Sequence, residues 1–83
     1  CIRDRGMVMY GAAWCPHCQQ EKQALGDGFP LVPYVECPEE SKLCLDQGIR
    51  AYPTWSLPGG ERFEGELGLE GLSRVSGCEL PED

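Results

Sequence analysis

The chain has 83 residues, six of them cysteine, and a formal net charge of −7. So short a chain does not divide into two cores, so residues 1–83 are read as a single domain with its core over 7–77. The acidic balance argues against nucleic acid or an anionic membrane surface as a partner, since both reward clustered Lys and Arg. No apolar stretch approaches the roughly 20 residues of a membrane span, so direct membrane insertion is not expected either.

In chain order, Met7-Val8-Met9-Tyr10 is a short apolar run stopped by Gly11 and reads as a buried strand. Pro16 stands where a first helical residue belongs, Gln19 to Leu25 are good helix formers, and Gly26 with Gly28 supplies the stop. Leu31 to Glu36 reads as a second strand, its first half weakened by Pro33. Glu39 to Gln47 follows as a short helix with acids in its first turn and Gly48 as its cap. Tyr52 to Leu57 is a strand opening on Pro53, Pro58-Gly59-Gly60 a turn, and Glu61 to Glu64 the returning strand of a hairpin. Leu69, Leu72 and Val75 share one face of a last helix that ends near Gly77. The order β-α-β-α-β-β-α predicts an α/β fold with a four-stranded mixed sheet and helices on its faces.

Only 17 residues are Leu, Ile, Val or Phe, so six cysteines, enough for three disulfides, matter to a core this small. The charge is unevenly placed. Residues 1–28 sum to zero, and the whole −7 lies in 29–83, ending in Glu82 and Asp83. This reads as a solvated acidic surface. Beginning at Cys1 rather than Met, the sequence reads as a fragment or a processed product, so the lack of a signal peptide says little about location.

Trp14-Cys15-Pro16-His17-Cys18 sits at a strand-to-helix junction. A cysteine at a helix N-terminus meets unpaired N–H groups and the positive end of the macrodipole, which favour its thiolate. Protonated His17 would add positive charge beside it. Cys15 is then the nucleophile, and Cys18, a turn deeper, the thiol that resolves a mixed disulfide. Stabilising the reduced thiolate makes the disulfide a stronger oxidant, so Pro16 and His17 predict a couple more oxidising than a cytosolic reductant. No cofactor beyond the Cys15–Cys18 pair and no metal is expected. The competing use of these residues is a zinc-held, non-catalytic binding module with Cys37 and Cys44 as the other two ligands. Six residues between those cysteines, and a proline between Cys15 and Cys18, count against it.

Gly48-Ile49-Arg50-Ala51-Tyr52-Pro53-Thr54 resembles the thioredoxin superfamily segment that carries a cis-proline, and Trp14 to Cys18 resembles that superfamily's active site. The resemblance implies a compact thioredoxin-like fold with Pro53 cis beside the cysteines. It also implies that the backbone of Ala51 and Tyr52 is free to pair with an extended client peptide. Tyr10 to Cys18, Lys22, Pro33 to Cys37, Cys44 and Tyr52 to Trp55 more narrowly resemble the thioredoxin-like domain of cyanobacterial and plant vitamin K epoxide reductase homologues. That implies electrons taken from cysteines of client proteins and passed to a quinone-linked membrane partner, in an oxidising compartment such as the periplasm or thylakoid lumen. Many relatives carry a buried acid six residues before the first active-site cysteine. Here Met9 holds that place, which leaves water, His17 or an acid such as Glu36 as base for Cys18.

Cys37 and Cys44 are spaced to bring their Cα atoms within the roughly 4.4–6.8 Å of a disulfide, read as structural, with a second redox pair as the alternative. Cys1 and Cys78 are either paired with each other, free, or bonded to a partner outside this sequence. Trp14 is expected to contact clients and Trp55 to fill the core. The reading is a thiol–disulfide oxidoreductase. A glutaredoxin-like, glutathione-dependent enzyme is the rival, although Gly59-Gly60 falls earlier than glutaredoxins place their pair.

Overall fold

Strand β1 (Val8–Gly11) is the axis of the molecule because both of its edges are paired. It runs parallel to β2 (Tyr34–Glu36), with Met9 opposite Tyr34, and antiparallel to β3 (Thr54–Ser56), with Met9 opposite Trp55. A fourth strand, β4 (Arg62–Glu64), pairs antiparallel with β3, so the sheet order is β2-β1-β3-β4. A parallel pair needs a crossover, and helix α1 (Pro16–Leu25) with a 3-10 turn over Gly26–Leu31 provides it. Helix α2 (Ser41–Asp46) follows β2, and helix α3 (Gly68–Ser76) follows β4. The computed structural model describes residues 1–79, so the terminal acids Glu82 and Asp83 lie outside the described residues. The α/β order and the four-stranded mixed sheet are those expected from sequence.

Several boundaries differ, each for a local reason. Residues 31–33 do not join β2. The chain winds through the 3-10 turn, where the Val32 N–H bonds the Phe29 carbonyl at 2.9 Å and Phe29 packs edge-on against Tyr34. The second helix starts at Ser41 rather than Glu39. The Glu39 N–H donates to the Glu36 carbonyl and the Glu40 N–H to the Cys37 carbonyl, a turn that leaves both acids ahead of the helix. Gly11 belongs to β1 instead of stopping it, and its carbonyl accepts the Cys37 N–H at 2.8 Å. The last helix ends as expected at Gly77, whose left-handed φ of +74° suits a residue without Cβ.

Met7, Met9, Trp55 and Leu72 are fully buried and join Ile2, Ala12 and Cys18 in one cluster. Into that cluster α1 projects a carboxylate. Glu21 is 1% exposed. It accepts the Trp55 indole N–H at 2.8 Å and the Leu67 and Gly68 N–H groups at 2.9 and 2.8 Å, at the start of α3. A buried carboxyl group is tolerated when its oxygens accept hydrogen bonds in this way, and helix N-terminal amides are suitable donors. Glu21 thus ties α1 to both β3 and α3. Sequence reading saw only a helix former there.

Two disulfides close the small core. Cys37–Cys44, with Cα atoms 5.7 Å apart, fastens the start of the β2–α2 loop to α2. Cys1–Cys78, at 5.9 Å, joins the N-terminal turn to the segment after α3. By loop length the first is worth about 2 kcal/mol and the second on the order of 4 kcal/mol. Cys15 and Cys18 are free.

Candidate active site

The residues between β1 and α1 place the cysteines. Cys15 is the helix N-cap, its N–H bonded to the Ala12 carbonyl at 3.0 Å, and its carbonyl receives the Gln19 N–H. Pro16 follows as the first helical residue, where a missing N–H costs nothing. Cys15 is 7% exposed and Cys18 fully buried. The Cys15 thiol donates to the Tyr52 carbonyl at 3.8 Å, and the Tyr52–Pro53 peptide is cis. The structure therefore brings Cys15 and Cys18 together with Tyr52 and Pro53 from two separate segments.

Around Cys15 the surface is open. Trp14 is 66% exposed and meets the Tyr52 ring edge-on, with centroids 5.9 Å apart. The β3 ladder begins at Thr54, so Ala51 and Tyr52 run beyond the sheet. Their carbonyls are engaged, however: Ala51's by the Thr54 hydroxyl at 2.6 Å and Tyr52's by the Cys15 thiol. His17 also has a partner. Its Nδ1 lies 2.5 Å from Oε1 of Glu66, and the Gln20 amide, turned so that its nitrogen faces that carboxylate, donates to both Glu66 oxygens at 2.9 and 3.0 Å. A carboxylate that sequence reading did not connect to His17 thus stands directly against its ring.

Around Cys18 the site is closed. Burial pushes the Cys18 thiol up to about 11, the neighbouring Cys15 adding to the rise and the Ala12 backbone and Lys22 opposing it. Gly11 makes room for it. A Cβ at that position would stand 2.8 Å from the Cys18 sulfur and 3.2 Å from the Tyr34 ring. Lys22 lies 4.3 Å from the centre of that ring, and the Tyr34 hydroxyl donates to Glu36 at 2.5 Å. Burial first, then Glu36, raises the Tyr34 hydroxyl above its usual range. Glu36 moves the other way. Burial would raise it, but the Tyr34 O–H, the Ala13 N–H at 2.8 Å and Lys22 together bring it below the usual carboxylate value. Both Glu36 oxygens are thus committed, one to Tyr34 and one to the loop that carries the cysteines.

Cys37 and Cys44 are bonded to each other and are not available as ligands with Cys15 and Cys18. Among the described residues no cluster of three or more His, Cys, Asp and Glu side chains could hold a metal ion. Trp55 fills the core as expected. Four residues at or behind the site had no assigned role in sequence: Gly11, Glu21, Tyr34 and Glu66. The spacing of Glu21 three residues after Cys18, on the same helix face, was the one available sign.

No protein-family model matches the chain. It is 33% identical over 86 aligned positions to the thiol-disulfide oxidoreductase LTO1 of Arabidopsis thaliana, covering 93% of this chain and 23% of that protein. It is 36% identical over 66 positions to a protein disulfide-isomerase of Aspergillus oryzae, covering 68% of this chain and 13% of that one. The chain therefore spans less than a quarter of the length of either curated relative. Among solved structures, chloroplastic thioredoxin z superposes with a TM-score of 0.65 at 22% identity, over 92% of this chain and 80% of that one. The chain thus shares the fold of a thioredoxin and is similar in sequence to part of a thiol-disulfide oxidoreductase and part of a protein disulfide-isomerase.

Proposed function

We propose that this chain is a thiol–disulfide oxidoreductase domain whose Cys15 and Cys18 alternate between dithiol and disulfide in exchange with cysteine-containing proteins. One observation carries the reading: two free thiols at the start of α1, one near the surface and one buried, with the outer thiol against the carbonyl that precedes cis-Pro53. A client thiolate attacks Cys15 of the oxidised pair, forming a client–Cys15 disulfide and releasing Cys18. A second client thiolate then attacks the client sulfur of that bond, so the client leaves oxidised and the pair reduced by two electrons. Run in reverse, Cys18 attacks Cys15 of the mixed disulfide and expels the client thiolate. Trp14 and Tyr52 offer apolar contact to the client beside the reacting sulfur.

The electrons collected at Cys15–Cys18 pass, in this reading, to a quinone-linked membrane partner of the vitamin K epoxide reductase type, on the periplasmic or lumenal side. Two further disulfides support an oxidising compartment. Cys18→Ser should accumulate mixed disulfides at Cys15, visible as higher-mass species that reductant collapses. Absence of any such species with clients or with the membrane partner overturns the assignment. A reduction potential above thioredoxin's value of about −270 mV is expected, and one at or below it overturns the oxidative direction.

A further inference from the structure

His17, Gln20 and Glu21 lie on one face of α1, and between them they hold the three consecutive residues Glu66, Leu67 and Gly68. His17 and Gln20 hold the Glu66 carboxylate, while Glu21, beneath them, holds the N–H groups of Leu67 and Gly68. Glu21 is buried, and the exchange chemistry makes no use of it. Its hydrogen bonds fix the backbone that immediately follows Glu66 and so set a surface acid against the one histidine between the two cysteines.

We propose that Glu66 sets the redox poise of the Cys15–Cys18 couple through His17, with Glu21 as the positioning residue that keeps Glu66 in place. This rests on the reading of Cys15–Cys18 as the exchanging pair. Reduction breaks the Cys15–Cys18 bond with two electrons from a partner dithiol, which closes its own disulfide. The thiolate left at Cys15 is the charge at issue. A protonated His17 alone favours that thiolate and makes the disulfide a stronger oxidant. Glu66, 2.5 Å from Nδ1, balances the imidazolium and adds a negative charge to the same rim, so the couple is less oxidising than Cys-Pro-His-Cys alone makes it. His17 is 68% exposed and the Glu66 side chain 31%, so the effect is modest and salt-sensitive.

The test is the equilibrium of the chain with reduced and oxidised glutathione, measured for the unaltered protein, Glu66→Gln, His17→Ala and the double variant. Glu66→Gln keeps a hydrogen-bonding side chain on an exposed loop, so folding is not at stake. It should favour the reduced pair by roughly two- to tenfold, tenfold being 29.6 mV for a two-electron couple. The same substitution in the His17→Ala background should shift the equilibrium markedly less, and high salt should shrink the difference. No shift, or an equal shift in both backgrounds, overturns the proposal while the exchange reading stands. Failure of the unaltered protein to equilibrate with glutathione or with any dithiol removes the exchange reading and the proposal together.

Discussion

Cys15 and Cys18 lie one helical turn apart and inhabit different chemistry. Cys15 sits at the rim with Trp14 and the His17–Glu66 pair, where charges are wet and side chains are replaceable. Cys18 is enclosed by Gly11, Tyr34 and Lys22, where a single added methyl has no room. The contrast teaches that one turn of helix is enough to separate a thiol at the molecular rim from one enclosed in the core. Changes on the inner side should register mainly as stability and resolution, and changes on the outer side as client recognition.

The largest effect expected from this contrast is on alkaline stability. The Cys18 pKa is raised by burial from 9.0 to about 11, so between those values the unfolded chain binds fewer protons than the folded one. Stability from this group is therefore complete below about 9 and is lost as pH rises through about 11, on the order of 3 kcal/mol in total. Tyr34 shifts in the same direction and contributes in both redox states. Denaturant titrations of reduced and oxidised protein should diverge across this window, the reduced form losing more. Parallel curves would mean that Cys18 is not enclosed in solution.

Next comes Gly11→Ala, which should cost about 2 kcal/mol in the reduced protein because the new Cβ overlaps the Cys18 sulfur and crowds Tyr34. Resolution of a Cys15 mixed disulfide should slow while attack at Cys15 holds, read by stopped-flow on the two steps separately. The smallest stability effect belongs to the outer side. Trp14→Ala should leave stability within about 0.5 kcal/mol, given its exposure, but raise KM for protein clients without a matching change for small disulfides. A large loss of stability from Trp14→Ala would collapse the distinction between the two sides.

Much of the fold was legible because its signals are local. Pro16 and Gly26 bracket α1, Leu69, Leu72 and Val75 mark α3, and alternation with a glycine turn marks the β3–β4 hairpin. Cys15 and Cys18 were legible for the same reason, since a helix N-terminus can be read from the residues on either side of it. What escaped is non-local or has no side chain to read. Glu66 meets His17 across 49 positions, and Glu21 meets Trp55 across 34. Gly11 matters through the absence of a Cβ, which no hydrophobic pattern records. The acidic half of the chain, remote in sequence from the cysteines, supplies Glu36 and Glu66 to their immediate surroundings. Charge counted along the chain was a poor guide to charge around the site.

The Cys1–Cys78 bond makes a covalent ring of nearly the whole described backbone, and both free cysteines, Cys15 and Cys18, lie within it. A protease that cuts the ring once leaves its two pieces joined. Such a cut would pass unseen on a non-reducing gel and appear only when the disulfide is reduced. By the same closure, any molecule disulfide-bonded to Cys15 would stay attached to the entire domain even after the chain is nicked.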